Sequence, residues 1–367
     1  MNGNEKSGLR CPKVIWLTPA FRCNLRCPGC IHGLDRKGKS LKDLYRTDKK
    51  FMTFEEFQRV VDDTLEFRPL LSLYGAGEPF LNPDVYEMVR YAGLERKFPL
   101  QFHTNGLPLD PHRLAPLGPT DVTFSVDGFS QESYEKYRRG GDLKQVLEII
   151  ETFARLAAEQ PQGLRPKITF KYIIHRFNEE EVQTAKDWVA KLPNVIFREA
   201  AFVLPAPDID YRLEHKGWST KESHDHWAPR KIPYDLYYFD EEHGVYKNRA
   251  QLLPRDGNCE MVKDELFAHV DGESYPCCLG VLSNYREGMY FGNIFEEGVL
   301  EVFNGERAER FRTIYRTSDK GNVFECAECQ FNRLRTFSDA VKVKTRAECP
   351  PCAQAGHEGE RAAAAEA

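Results

Sequence analysis

The stretch VIWLTPAFRCNLRCPGC, residues 14–30, runs from a short apolar segment directly into a loop that contains three cysteines. The apolar part, VIWLT at residues 14–18, predicts a β-strand. Cys23, Cys27 and Cys30 follow it with the spacing CxxxCxxC. Thiolates gathered in this way indicate a zinc or an iron–sulfur site. The sequence therefore predicts a metal-binding loop directly after the first strand of the fold.

The same alternation of short apolar runs with amphipathic stretches continues to about Val203. Six alternations of this kind imply parallel strands with right-handed crossovers, and hence an α/β barrel or doubly wound sheet. The further strand candidates are LLSLY at 70–74, LQFHT at 100–104, VTFSV at 122–126, ITFKYII at 168–174 and VIFREAAF at 195–202.

Helix starts between these strands are indicated by residues that cap the first turn. Thr53 and Glu56 form a capping box, and Met52 is placed to pack against Phe57. The other predicted starts are Asn82 with Pro83, Asp142 with Gln145, and Asn178 with Glu181, the last helix ending near Leu192.

Polar motifs fall where the predicted strands end. GAGEP at 75–79 follows the second strand, HTNG at 103–106 ends the third, and SVDG at 125–128 ends the fourth. Because chemistry in such folds collects at the carboxyl ends of the strands, we expect these motifs and the cysteine loop to share one site.

Composition limits the classes of partner. The chain has 367 residues, which suggests two domains or one large barrel with an attachment. Lys plus Arg number 51 against 56 Asp plus Glu, a formal charge of −5, so a nucleic-acid partner is disfavoured. Residues 1–10 are polar and no apolar stretch reaches spanning length, which predicts a cytoplasmic protein without a membrane partner.

Eleven cysteines are unusual for such a chain, and disulfides are disfavoured in the cytosol. Cys11 we interpret as structural. The others form the first group and a second group near the end of the chain, which comprises Cys259, Cys277, Cys278, Cys326, Cys329, Cys349 and Cys352.

Two interpretations of the first group follow from the residues alone. Three nearby thiolates can hold three irons of a four-iron cubane and leave the fourth iron open to an exogenous ligand. Alternatively, His32 completes a Cys₃His zinc site.

With GAGEP, HTNG and SVDG in order behind it, the CxxxCxxC loop resembles the radical S-adenosylmethionine (SAM) superfamily over residues 12–203. The resemblance implies a partial (β/α)6 TIM-type barrel and a [4Fe–4S] cluster on Cys23, Cys27 and Cys30. The open iron of that cluster would bind S-adenosylmethionine. Reductive cleavage would then give a 5′-deoxyadenosyl radical that abstracts a substrate hydrogen.

The resemblance also implies residues that bind S-adenosylmethionine. They are Ala76, Gly77, Glu78 and Pro79 for the methionine amino group, Thr104 and Asn105 near the ribose, Ser125, and Arg138 for the methionine carboxylate. This sequence departs from the superfamily pattern at Ala76, where a glycine is usual, and at Gly29, where a bulky residue usually lies near the adenine.

The second group resembles the SPASM/twitch attachment of the same superfamily. The set Cys259, Cys277, Cys326 and Cys329 would hold a closed auxiliary [4Fe–4S] cluster suited to electron transfer. Arg335 stands where a full SPASM domain would have its next cysteine, which leaves Cys349 and Cys352 as further ligands or a redox dithiol. An alternative pairing of Cys326, Cys329, Cys349 and Cys352 has zinc-ribbon spacing. Cys278 is either a hydrogen donor to a substrate radical or a small buried residue.

The predicted organisation has five parts. They are an N-terminal extension (1–11), the partial barrel (12–203), an aromatic and histidine-rich connector or lid (204–258), a smaller cysteine-rich SPASM/twitch domain (259–354) and a loose tail (355–367).

Three functions are consistent with these motifs. The leading prediction is a radical SAM oxidoreductase that dehydrogenates a sugar or aminocyclitol, with an electron donor such as flavodoxin or ferredoxin. The second is maturation of a ribosomally made peptide, or epimerisation with Cys278 as hydrogen donor. The third is a non-catalytic interaction protein whose loops are stapled by zinc.

Overall fold

The computed structural model describes residues 5–6, 8–200, 204–210, 218–231, 237–248, 259–278 and 286–317. Four cysteines predicted as metal ligands, Cys326, Cys329, Cys349 and Cys352, lie outside the described residues, as do Arg335 and the predicted tail.

A nine-stranded sheet forms the centre of the molecule. Its strand order is β13 (Gly292–Asn293), β12 (Glu273–Tyr275), β11 (Glu265–Ala268) and then β3 to β8 in sequence order. Strands β3 to β8 are parallel throughout, which confirms the partial barrel. Their bounds are β3 Val14–Leu17, β4 Leu70–Leu73, β5 Leu100–Thr104, β6 Thr120–Ser125, β7 Lys167–Ile173 and β8 Val195–Ala200. Two short ribbons lie apart from this sheet: β1 Glu5–Lys6 with β2 Leu9–Arg10, and β9 Tyr237–Asp240 with β10 Val245–Asn248.

The parallel strands have one apolar face and one mixed face, because successive side chains of a strand point to opposite sides. On β7, Ile168, Phe170 and Tyr172 are buried in the main core with the helices. Thr169 and Lys171 alternate with them and point to the other, concave face. This face is the interior of the partial barrel.

Helices cover the apolar face. Their bounds are α1 Leu41–Tyr45, α2 Phe54–Asp63, α3 Val85–Val89, α4 Pro111–Leu114, α5 Gln131–Tyr137, α6 Leu143–Glu159 and α7 Val182–Val189. Short 3-10 helices lie at Pro79–Leu81, Ala115–Leu117 and Gln162–Leu164, and a π-helical segment at Arg90–Glu95. The predicted capping box of Thr53 and Glu56 is present at α2, and Asp142 accepts from the Gln145 backbone at α6.

Two predicted helix starts were wrong. Helix α3 begins at Val85 after Asp84, and α7 begins at Val182 after Glu181, neither with a side-chain cap. Asn82 instead donates to the carbonyls of Pro19 and Met52, at 2.7 and 2.8 Å. Asn178 likewise donates to the carbonyls of Asp127 and Ile173 (3.1 and 2.8 Å). Both side chains join segments distant in sequence.

The C-terminal segment continues the same sheet. Strand β11 (Glu265–Ala268) pairs in parallel with β3, while β12 (Glu273–Tyr275) runs antiparallel between β11 and β13 (Gly292–Asn293). The remaining helices are α8 Lys221–Trp227, α9 Glu260–Asp264, α10 Arg286–Met289, α11 Val299–Asn304 and α12 Glu306–Thr317.

No helix in the described ranges combines the length and the apolar character that a membrane crossing would need.

Candidate functional site

The cysteine loop follows β3 at the carboxyl end of the sheet, as predicted. It closes on itself through hydrogen bonds from the Cys30 amide to the Cys27 carbonyl (3.0 Å) and from the Gly33 amide to the Cys30 carbonyl (2.9 Å). The Arg26 amide also donates to the Arg139 carbonyl at 3.0 Å, which ties the loop to the chain after α5. Cys27 is buried, and Cys23 and Cys30 are partly exposed.

The surroundings of the thiols fit a bound metal cluster. Burial raises the pKa of the Cys23 thiol to about 12, and burial also raises that of Cys27, although Arg138 opposes this effect. Arg138 Nη1 lies 3.6 Å from Cys27 Sγ, and Asn105 Nδ2 lies 3.9 Å from Cys23 Sγ. One arginine cannot neutralise three neighbouring thiolates, whereas bound iron can. The donor set therefore suits a cluster.

The three sulfurs are not gathered here as closely as the thiolates of one bound zinc would be. Thiolates on one tetrahedral zinc, with bonds of about 2.3 Å, lie about 4 Å apart. The sulfurs of Cys23, Cys27 and Cys30 do not all lie within 4.8 Å of one another. Among the described residues, only ligand atoms of Asp240, Glu242 and His243 are gathered that closely. His32, the predicted fourth zinc ligand, has its Nε2 2.8 Å from the Ala76 carbonyl oxygen.

The GAGEP segment packs directly against the chain that leads into the cysteine loop. A Cβ atom on Gly77 would lie 1.9 Å from the Ala20 carbonyl oxygen, so only glycine fits there. The Glu78 amide donates to the Arg22 carbonyl at 2.7 Å. This close contact places Gly77 and Glu78 against the backbone of Ala20 and Arg22, directly before Cys23.

Glu78 serves the framework rather than the open site. Its buried carboxylate accepts hydrogen bonds from the Thr104 hydroxyl and the Asn105 amide, both at 2.7 Å, and from the Phe80 amide at 3.3 Å. Burial raises the pKa of Glu78 to about 7, although these hydrogen bonds oppose the rise. Thr104, predicted near the ribose, thus directs its hydroxyl to Glu78.

Arg138 is held by a carboxylate that the sequence analysis missed. Asp127 forms an ion pair with Arg138 and accepts from the Ile173 amide at 2.7 Å. Burial lowers the pKa of Arg138, but Asp127 and the Cys27 thiol outweigh it and the net pKa is raised. In the described part of the chain, the buried Arg138 Nε has no hydrogen-bond partner. Asp127 thus holds the guanidinium beside Cys27.

Ser125 and Gly29 flank this arginine site. Ser125 ends β6 and is buried, on the concave face. A Cβ atom on Gly29 would lie 2.9 Å from the Tyr137 hydroxyl, so Tyr137 fills the space that a larger side chain would need. The departure from the superfamily pattern at Gly29 thus has a local steric reason.

Described parts of the connector cover the cysteine loop. Leu204, Trp227 and Tyr237 belong to one buried apolar cluster with Leu25 and Cys27. The connector therefore lies over the cluster loop.

Cys259 and Cys277 lie at the opposite end of the sheet. Cys259 precedes α9 just before β11 begins, and Cys277 follows β12, which runs back to that same end. Both side chains pack against the main core. Burial raises the pKa of Tyr74, which lies on the concave face, and the nearby Cys278 thiol adds a smaller rise. Cys11, interpreted above as structural, is buried.

Sequence reasoning missed the basic side chains of the concave face, Lys171 and Arg198. Both stand in segments that were interpreted only as strands, ITFKYII and VIFREAAF. A lysine or arginine at an inward position of such a strand was the available signal.

Two family models match this chain. The radical SAM superfamily model matches residues 17–189, and the model of the SPASM iron–sulfur cluster-binding domain matches residues 259–330.

Individual proteins are similar over different lengths. The tungsten-containing aldehyde ferredoxin oxidoreductase cofactor-modifying protein of Pyrococcus furiosus is 23% identical over 93% of this chain and 94% of its own. Mycofactocin maturase MftC of Mycobacterium ulcerans is 28% identical, but the match spans 40% of this chain and only 38% of MftC. Among solved structures, native anSMEcpe with bound AdoMet superposes with a TM-score of 0.52 at 18% identity, covering 88% of each chain. This last likeness concerns the fold alone.

Proposed function

This chain belongs to the radical SAM superfamily, carries a SPASM domain and is an enzyme, and we propose that it oxidises a small organic substrate by two electrons. Its cofactors are S-adenosylmethionine, a [4Fe–4S] cluster that binds it, and auxiliary iron–sulfur in the SPASM domain. When bound, the first cluster and S-adenosylmethionine supply the radical that removes a hydrogen atom from the substrate. A zinc-stapled interaction protein is not supported.

The chain's own residues would divide the binding work as follows. Cys23, Cys27 and Cys30 would hold three irons. The backbone of Ala76, Gly77, Glu78 and Pro79 would receive the methionine amino group, because Gly77 allows close approach. Arg138, which Asp127 holds in place, would bind the methionine carboxylate. Ser125 and Asn105 would contact the rest of the nucleotide.

The observation that carries the proposal is the position of the two cysteine groups at opposite ends of one sheet. Cys23, Cys27 and Cys30 follow β3, whereas Cys259 and Cys277 lie where β3 and β11 begin. The concave face lies between them. A substrate bound there would meet a hydrogen acceptor on one side and, with the auxiliary cluster, an electron acceptor on the other.

The electron balance of an alcohol oxidation fits this arrangement. The carbon would lose its hydrogen atom towards the nucleotide side, the hydroxyl would lose its proton to solvent, and an auxiliary cluster, when bound, would accept the remaining electron. A C=O bond forms, and the substrate has lost two electrons and two protons. A sugar or aminocyclitol is the substrate class proposed for this step.

The relatives favour a small-molecule substrate, with a peptide substrate as the second candidate. The Pyrococcus furiosus relative, which matches nearly the full length, is named as modifying a cofactor. MftC is named as a maturase, and its similarity, restricted to part of the chain, favours a peptide substrate as the second candidate.

Epimerisation would use Cys278 as hydrogen donor. The Cys278→Ala variant separates this outcome from dehydrogenation: it should abolish turnover in an epimerase and spare a dehydrogenase.

Anaerobic reconstitution followed by a cleavage assay tests the proposal. We expect brown protein with about eight irons per chain if both clusters are of the four-iron type, and formation of 5′-deoxyadenosine with a reductant. Cys11→Ala is a matched control that should keep its iron. Iron-loaded protein that forms no 5′-deoxyadenosine would contradict the proposal.

A further inference from the structure

Lys171 and Arg198 stand side by side on the concave face. The sheet register pairs Lys171 with Ser125 of β6 on one side and with Arg198 of β8 on the other. Neighbouring residues in parallel register point to the same face, about 4.8 Å apart. The two cations therefore form a row that continues from Ser125 near the carboxyl end of the barrel.

Neither cation is neutralised by a neighbour. Within the ranges that the structure describes, the Lys171 ammonium and the Arg198 guanidinium have no ion pair and no side-chain hydrogen bond. Burial lowers the pKa of Lys171, and Asp127 acts in the opposite direction. Asp127 is already engaged by Arg138 and the Ile173 amide, so it cannot serve Lys171 fully.

His103 reports the same excess of positive charge. Burial lowers the pKa of His103 to about 3, and Lys171 and Arg198 add to the effect. The His103 ring stacks on Tyr74 with 4.1 Å between the ring centroids. The imidazole therefore stays neutral and does not compete for an anion.

Lys171 is partly buried, whereas Arg198 is exposed. An uncompensated cation that is partly buried, as Lys171 is, is costly, and proteins keep such a group mainly where a ligand supplies the opposite charge. A guanidinium and an ammonium on adjacent strands can each bind one oxygen of a planar or tetrahedral anion.

We propose that Lys171 and Arg198 form a subsite that binds an anionic group of the substrate, a carboxylate or a phosphate. This inference rests on the proposed function, because it assumes that the substrate reacts on the concave face. It also narrows the substrate class. A cationic aminocyclitol would be repelled by this row, so the substrate is a sugar-type or other small molecule that carries a phosphate or carboxylate.

Calorimetric titration of the reconstituted full-length protein, saturated with S-adenosylmethionine, tests the subsite. Inorganic phosphate and succinate are the two probes, and preference for one distinguishes a phosphate from a carboxylate group. We expect at least one of them to bind at one site per chain. Lys171→Met and Arg198→Met should each weaken that binding at least ~10-fold, as expected for a lost charge-assisted contact.

Lys167→Met is the matched control. Lys167 lies on the same strand and face, but its exposed ammonium is 3.8 Å from Asp121 at the other end of β7. Its loss should leave probe binding unchanged. Equal iron content and circular dichroism of all variants would exclude misfolding as the cause of a loss.

Three results would overturn the inference. The first is that neither probe binds, and the second is that Lys167→Met weakens binding as much as Lys171→Met. The third is that the probes bind only without S-adenosylmethionine and compete with it, which would assign Lys171 and Arg198 to binding of the nucleotide. Formation of 5′-deoxyadenosine by the same wild-type sample is measured in parallel. If S-adenosylmethionine is cleaved but neither probe binds, the subsite is contradicted and the proposed function stands. If a probe binds but S-adenosylmethionine is not cleaved, the proposed function is contradicted and the subsite stands.

Discussion

The two ends of the central sheet present cysteines in different ways. At the carboxyl end, Cys23, Cys27 and Cys30 share one short loop that hydrogen bonds to itself. At the amino end, Cys259 and Cys277 come from separate segments that β11 and β12 bring to the same edge. Three thiols in one loop leave an iron open, whereas ligands drawn from distant segments can enclose a cluster. We therefore assign substrate activation to the first end and electron transfer to the second.

Removing a thiol at the carboxyl end is the largest expected perturbation. Changes beside metal ligands cost roughly 10–100-fold, so Cys27→Ser, which removes a ligand, should lower 5′-deoxyadenosine formation by more. The assay is cleavage of S-adenosylmethionine under anaerobic conditions. If Cys27→Ser cleaved S-adenosylmethionine at nearly the wild-type rate, the assignment of substrate activation to the carboxyl end of the sheet would be contradicted.

The equivalent change at the amino end should separate the two functions. Cys277→Ala is expected to lose about four of eight irons and to lose substrate oxidation, yet to keep cleavage of S-adenosylmethionine. Iron quantitation and the cleavage assay measure both effects. The neighbouring Cys278→Ala variant should keep all its iron. If Cys277→Ala stops cleavage while its first cluster is intact, the assigned division of labour is wrong.

A smaller effect, on the affinity for S-adenosylmethionine, is expected from changing the residue that positions Arg138. Asp127→Asn removes the charge that holds the guanidinium and should weaken binding of S-adenosylmethionine about 10-fold, since a hydrogen bond to a charged group contributes about 1.5–3 kcal/mol. Equilibrium dialysis of reconstituted protein measures this. Asp121→Asn, on the exposed part of β6, is the control. Unchanged affinity in Asp127→Asn would show that Arg138 does not bind the nucleotide.

The smallest expected effect is a pH dependence of stability from Glu78. Because burial raises the folded-state pKa of Glu78 to about 7, above its ordinary 4.5, the folded protein binds this proton more tightly than the unfolded chain does. Stability should therefore fall as pH rises towards and through 7, and level off above it. Urea unfolding between about pH 4.5 and 8.5 should show this slope below about pH 7 and a plateau above it, with a reduced slope in Glu78→Gln. Equal slopes in both proteins would contradict the role given to burial.

Local patterns predicted much of this fold. The strands, the cysteine loop and the box of Thr53 with Glu56 depend on residues a few positions apart, so the sequence alone contains the necessary information. Asn82 and Asn178 are of a residue type that often caps helices. Their side chains instead donate to the carbonyls of Pro19 and Asp127, which only the folded chain brings near.

The site shows the same limit. The three cysteines and the GAGEP segment could be identified because they are contiguous motifs. Asp127 could not, since its role depends on meeting Arg138 and the Ile173 amide in space. Lys171 and Arg198 become a pair only through the register of β7 with β8.

Mössbauer spectroscopy of fully reconstituted protein, with and without S-adenosylmethionine, tests the central distinction most directly. If one cluster has an open iron and the other is closed, S-adenosylmethionine should change the signal of about one iron in eight and leave the rest unaltered. A spectrum that S-adenosylmethionine leaves unchanged, from protein with its full iron content, would contradict this account.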